Sequence, residues 1–258
     1  MLARLGLVTA FGHVSARAGD SMLITPAADL AAVTAASVIE VPLAVRALPA
    51  GAPAEAWAHL ALYRARPDAA AIARAQPAAA FAVAAVTTAM VPVHGQAAWL
   101  GESVPVYGDA ALLRSADRAE RAASCLPAGE ALLLRGNGAL TLGATPGLAV
   151  ARMWLLAAAC DVYLAALAAS GASPVTTLSD GEIASWRAVG GELLPRLWEH
   201  LRSGPGSAGP GSARPGSGEE QGQGQPGDHR RPPAPRVMPL DLREEREAHG
   251  GAPDREQT

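Results

Sequence analysis

Short apolar runs and longer apolar-periodic stretches alternate along residues 1–202, each bounded by turn-forming residues. Residues 14–18 and 22–25 flank Gly19-Asp20, the strongest short-range hairpin signal in the chain. Residues 37–43 read as a further strand, and 54–64 as a helix opened by Pro53 with Glu55 in its first turn. Arg66-Pro67-Asp68 breaks that helix. Residues 69–73 then read as a buried strand, after which Pro77 opens a helix to about Val86. Residues 104–107 and 131–134 are apolar runs bounded by turns, and 139–142 follows the second across Gly136-Asn137-Gly138 as a hairpin partner. Residues 109–124 are amphipathic and 146–169 form a long buried helix. A helix over 179–201 opens with the capping box Ser179-x-x-Glu182. Residues 1–7 read as the last two turns of a helix entering a loop at Gly12.

Hairpins mixed with helices predict an α/β fold, a single domain with a mixed, largely antiparallel sheet covered by helices, rather than a doubly wound parallel sheet. The pattern stops near Ser203. Residues 203–258 are Gly, Pro, Ser, Gln, Arg and Glu with few branched apolar side chains, which predicts a disordered tail. A short apolar patch at 237–242 interrupts it.

Half of the chain is hydrophobic, enough for a substantial core, and the formal net charge is only −3. Neither nucleic acid nor a membrane surface is implied as a partner. All 21 basic residues are arginines. Without lysine, Schiff-base catalysis, covalent pyridoxal phosphate and a phosphate-loop lysine are excluded together. Cys125 and Cys160 are far apart in apolar surroundings and read as buried free thiols. The longest apolar stretch, 148–167, carries Arg152 and Asp161 and reads as a buried helix of a cytoplasmic protein rather than a membrane span.

Four motifs occur in order: Gly12-His13-Val14-Ser15, Leu23-Ile24-Thr25-Pro26, Glu55 with His59 and Tyr63, and Arg66-Pro67-Asp68. As an ordered set they resemble the class II aldolase/adducin family, from about residue 5 to residue 201. The resemblance implies a single three-layer α/β/α domain, assembled as a cyclic homotetramer with sites between neighbouring subunits. It also implies a carbon–carbon lyase of aldolase or decarboxylase type in carbohydrate metabolism, or a non-catalytic binding or structural protein like the adducins.

In metal-dependent members of the family, three histidines hold a divalent cation that stabilises an enediolate, and a glutamate moves the proton. The resemblance places Glu55 at the glutamate position and Arg74, Gln76 and Asn137 at the three ligand positions. The family's phosphate-binding motifs read here as Gly12-His13, Thr25-Pro26-Ala27 and Pro53-Ala54, so hydroxyl donors are missing. Backbone amides and Thr25 alone make a thin cradle for a sugar phosphate.

Arg74, Gln76 and Asn137 are all hydrogen-bond donors, and gathered before Glu55 they suit a small carboxylate or enolate anion. The leading expectation is a metal-independent lyase or proton-transfer enzyme acting on a small carboxylated or enolisable molecule. Glu55 is its acid/base, and His13, Thr25, Arg74, Gln76 and Asn137 bind substrate. The alternatives are a pseudoenzyme of the adducin type, and a metalloenzyme with displaced ligands holding zinc through His13, Glu55 and His59. The plain reading of Arg74 is an ion pair with Asp68.

Overall fold

The computed structural model describes residues 1–204. The expected tail, with its apolar patch, lies outside the described residues, apart from Ser203 and Gly204 at the end of the last helix.

Strand β1 (His13–Ala18) turns through Gly19, at φ +59°, into β2 (Ser21–Ile24), and the register pairs Ser15 with Ile24. β3 (Ile39–Pro42) extends the sheet beyond β2. β4 (Ala71–Ala75) pairs with β1 on its other side. The remaining strands are β5 (Ala89–Met90), β6 (Val104–Tyr107), β7 (Ala131–Leu134) and β8 (Gly138–Gly143). Their order is β3-β2-β1-β4-β8-β7-β6-β5. Among the described residues β6 and β7 are the parallel pair and the other neighbours run antiparallel.

The period-2 alternation of the strands sorts the core into two layers. Ala71, Ala73, Ala75, Leu133 and Ala139 face helices α2 (Ala78–Val86) and α4 (Pro146–Ser170), and α5 (Asp180–Ser203) packs on α4. Ile72, Leu132, Leu134, Leu140 and Leu142 face α1 (Ala56–Ala65) and α3 (Ala116–Ser124). The result is the expected three-layer α/β/α domain. Each fully buried leucine contributes about 1.5–3 kcal/mol relative to exposure, so the leucine-rich face anchors α1 and with it Glu55. The alanine face serves another purpose, because small side chains let α4 approach the sheet closely.

α5 is seated by tryptophan rings on glycines. A Cβ at Gly95 would fall inside the Trp186 ring, one at Gly190 would strike Trp99, and the Trp99 indole donates to the Trp186 carbonyl at 2.9 Å. The Ser179–Glu182 capping box forms as expected. α4 is long and apolar enough to cross a membrane by length and composition alone, yet in this fold Val150, Met153, Leu155 and Leu156 are core residues. Cys160 is buried, whereas Cys125 is only half-buried; both are free thiols.

Three local expectations need correction. β4 starts at Ala71, two residues later than expected, because the Ala69 amide closes the turn after α1 on the Arg66 carbonyl. Arg74 therefore lies inside a strand rather than beyond one. The helix expected from residue 109 starts at Ala116, since Asp109 caps a turn at the Ala111 amide and Ser115 is the N-cap. Residues 1–7 form one helical turn rather than two, the Leu5 amide on the Met1 carbonyl, closed at Gly6 (φ +68°) by bonds from Leu7 to Leu2 and from Gly6 to Ala3, with Leu2 and Leu7 buried. The two-residue β5 and a 3₁₀ segment at Gly95–Leu100 carried no usable sequence signal.

The β7–β8 turn depends on Gly138, at φ +87°, where a Cβ would be driven into the Ala75 carbonyl oxygen. Gly138→Ala is expected to cost more than about 2 kcal/mol in urea unfolding, from left-handed strain plus the clash. Gly19→Ala, at a similar φ but with nothing within 4 Å, is expected to cost about 1 kcal/mol. Equal losses at both positions would contradict this account of the turn.

Candidate functional site

The antiparallel register that sets His13 of β1 opposite Arg74 of β4 projects both side chains from the same sheet face. The Gly136-Asn137-Gly138 turn closes onto the end of β4, and the N-terminus of α1 brings Glu55 above it. Between these elements lies a cavity of about 590 Å³, lined by His13, Glu55, Arg74, Gln76 and Asn137 among others. Five of the six residues expected in the site are therefore together. Thr25 does not line the cavity: its hydroxyl accepts the Val14 amide at 3.1 Å and holds the β1–β2 hairpin.

Arg74 is 3% exposed. Its Nη2 donates to the Asn137 side-chain oxygen and, at 3.3 Å, to the Asn137 carbonyl. Burial pulls its pKa below the ordinary arginine range while the charge of Glu55 opposes the shift. The guanidinium remains a cation. Asn137 has its oxygen committed to Arg74, and its amide nitrogen is buried with no partner. An orphaned donor beside a half-committed guanidinium is an arrangement waiting for an acceptor.

Glu55 is the N-cap residue of α1, with a backbone outside the helical region and no capping hydrogen bond of its own. Its carboxylate accepts instead from Nε of Arg114 at 3.5 Å. Arg114 was not foreseen. It sits in the irregular stretch that the sequence pattern assigned to a helix, and its only cue was an arginine just before the N-cap serine of α3.

Two imidazoles lie at the cavity and behind it. His13 has Nδ1 buried without a partner, and its pKa is pushed down to about 4 by burial first and then by the positive charge of Arg74, with Glu55 opposing. His59 is fully buried and held well below its usual range, chiefly by burial. Its Nδ1 is hydrogen-bonded to the Ser15 hydroxyl at 2.7 Å, and that hydroxyl to Tyr63 at 2.9 Å. Burial pushes the Tyr63 phenol up to about 12. The two imidazole rings meet edge to face, centroids 6.2 Å apart.

The side chains present do not fit a divalent cation. Among the described residues no three His, Cys, Asp or Glu side chains converge on one point. His59 Nε2 and His13 Nδ1 are both buried without partners, but His13, Glu55 and His59 do not make a cation site: Glu55 is paired with Arg114, and the buried Arg74 cation acts on both imidazoles. Glu55 and His59 do not share a helix face as expected, since Glu55 lies outside the helical turn. Asp68 is also not the partner of Arg74: it accepts two bonds from Arg66, at 2.9 and 2.7 Å.

The fold is that of a known family. Residues 1–164 match the Class II Aldolase and Adducin N-terminal domain, and the chain belongs to that family. Human beta-adducin is 30% identical over 159 residues, covering 59% of this chain and 22% of that protein. Rat beta-adducin is 29% identical over 170 residues, covering 63% and 23%. The chain thus spans less than a quarter of the length of these relatives. Among solved structures, the L-fuculose-1-phosphate aldolase of Thermus thermophilus superimposes with a TM-score of 0.58 at 29% identity, over 67% of this chain and 92% of that one. Another L-fuculose 1-phosphate aldolase gives 0.65 at 21% identity, over 72% and 89%, a likeness of fold alone.

The depressed imidazoles link stability to pH. Unfolded His13 takes its proton near 6.5 and folded His13 only near 4, so between these values the unfolded chain binds more protons. Stability should therefore fall as pH drops from about 7 to 4, with His13 accounting for on the order of 3 kcal/mol of the loss. His13→Gln should flatten that part of the profile in urea unfolding at stepped pH. An unchanged slope would contradict a neutral, buried His13.

Proposed function

We propose that this chain is a metal-independent member of its family, a lyase or proton-transfer enzyme acting on a small carboxylated or enolisable molecule. Glu55 moves the proton, and Arg74, Gln76 and Asn137 hold the anion. The observation that supports this reading above others is the buried Arg74 guanidinium beside the orphaned Asn137 amide, both at the cavity. Together they offer charge-assisted donors where a substrate carboxylate can replace lost hydration.

Magnitudes set the class of reaction. A Lewis-acid metal supplies several kcal/mol to a developing oxyanion, and losing about 5 kcal/mol slows a step 10³- to 10⁴-fold. Hydrogen bonds to charged groups return about 1.5–3 kcal/mol each. That is too little for retro-aldol cleavage of an unactivated sugar but enough for a substrate already acidified by a neighbouring carbonyl. The absence of Thr25 from the cavity further weakens the case for a sugar phosphate. His13, neutral at physiological pH, serves as a hydrogen-bonding wall rather than a charge.

Cytoplasmic residence and a homo-oligomer, a tetramer by resemblance, belong to the same reading. Phe11 and Leu112 line the cavity while 65% and 44% exposed, an apolar rim suited to cover by another subunit. A binding module without turnover is the second reading, favoured by the beta-adducins among the relatives and by the Arg114 contact that occupies Glu55.

A thermal-shift screen of small carboxylates, followed by assay of the hits, separates these readings. Arg74→Gln is expected to weaken binding of the stabilising acids about 10- to 100-fold. Glu55→Gln is expected to lower turnover at least 10²-fold without weakening binding. Tight binding with no turnover by the unmodified protein would establish the binding module instead.

A further inference from the structure

The cavity contains two guanidinium groups, and their states differ. Arg74 is buried at the floor and braced by Asn137. Arg114 reaches the rim from the irregular stretch before α3, its side chain 58% exposed, and its contact is one nitrogen at 3.5 Å from Glu55 Oε1. At this length, with the Arg114 end in solvent although the Glu55 side chain is only 13% exposed, the pair contributes little. The other acid on the wall, Asp29, already accepts the Ala31 amide through Oδ1.

We propose that Arg114 is a movable second anion holder, which leaves Glu55 for a second negatively charged oxygen of the bound molecule and so selects ligands carrying two. This rests on the reading that Arg74 holds the first carboxylate. The ligand class is then a dicarboxylate, or a carboxylate whose adjacent carbonyl becomes an enolate.

The exchange has a chemical logic. When Glu55 removes a proton from carbon, a C–H bond breaks, an O–H bond forms on Glu55, and the electron pair moves through the new C=C bond onto the carbonyl oxygen. Glu55 becomes neutral as that oxygen becomes negative. Arg114, released by the first change, is drawn to the second, so its interaction grows as the reaction proceeds. Only interactions that strengthen in this way accelerate a step. A cation at the rim can follow the charge where a fixed one cannot.

The test uses acetate and malonate as probes, titrated calorimetrically against the full chain and the variants Arg114→Gln, Glu55→Gln and their double mutant. Arg114 is exposed with a single side-chain partner, so its replacement leaves the fold intact, as circular dichroism will verify. Malonate should bind at least tenfold tighter than acetate, and Arg114→Gln should erase that preference while changing acetate affinity less than twofold. Glu55→Gln frees Arg114 and should tighten malonate, a gain that disappears in the double mutant. Equal weakening of both probes by Arg114→Gln, or a Glu55→Gln gain that persists without Arg114, overturns the exchange and leaves the role of Arg74 standing. Failure of both probes to bind overturns the anion-holding reading of Arg74 and this one with it.

Discussion

The buried guanidinium of Arg74 is the constraint around which the site is organised. A cation removed from bulk water needs compensating oxygens, and the fold supplies two from Asn137 with the carboxylate of Glu55 facing it. Each neighbour is then committed. Asn137 must turn its oxygen to Arg74, which strands its amide nitrogen. The turn that carries Asn137 must press against the end of β4, which admits only glycine at 138. Both imidazoles must stay neutral, because burial and the Arg74 charge act on them in the same direction. One buried guanidinium thus sets the orientation of Asn137 and the neutral state of both imidazoles around it.

The two faces of the sheet divide the labour. Leucines on one face fix α1 and so the position of Glu55, while alanines on the other let α4 pack closely behind β4. Behind the cavity, Ser15, His59 and Tyr63 form a buried hydrogen-bonded chain that ties β1 to α1. Its geometry belongs to the scaffold: it fixes the strand that carries His13 to the helix that carries Glu55 without entering the cavity.

Much of this was legible in the sequence, and the exceptions have physical causes. Both hairpins were readable because Gly19-Asp20 and Gly136-Asn137-Gly138 encode their turns locally, and the α5 boundary because its capping box does the same. Five residues that line the cavity, His13, Glu55, Arg74, Gln76 and Asn137, were legible through the family resemblance. The start of β4 was not, because alanines buried on both sides give no period to lock the register. Arg114 was missed for a related reason: alternating alanines and arginines look amphipathic over 109–124, and only the Asp109 turn and the Ser115 cap reveal where the helix begins. Thr25 is expected in the site because Thr25-Pro26-Ala27 stands where the resemblance puts a phosphate-binding turn, whereas the hairpin claims its hydroxyl for a backbone amide. Contacts between residues far apart in sequence, such as Arg114 with Glu55, leave no local trace at all.

The proposal that the Arg74 site excludes a divalent cation is tested most directly by metal analysis. Untagged protein would be incubated with zinc, manganese and iron at matched stoichiometry, passed through a desalting column, and assayed by mass spectrometry for metal per chain. The account predicts well below about 0.1 equivalent for each metal, with Arg74→His raising retention if the pocket is otherwise intact. Retention near one equivalent by the unmodified chain, lost on replacing His13 or Glu55, would contradict it.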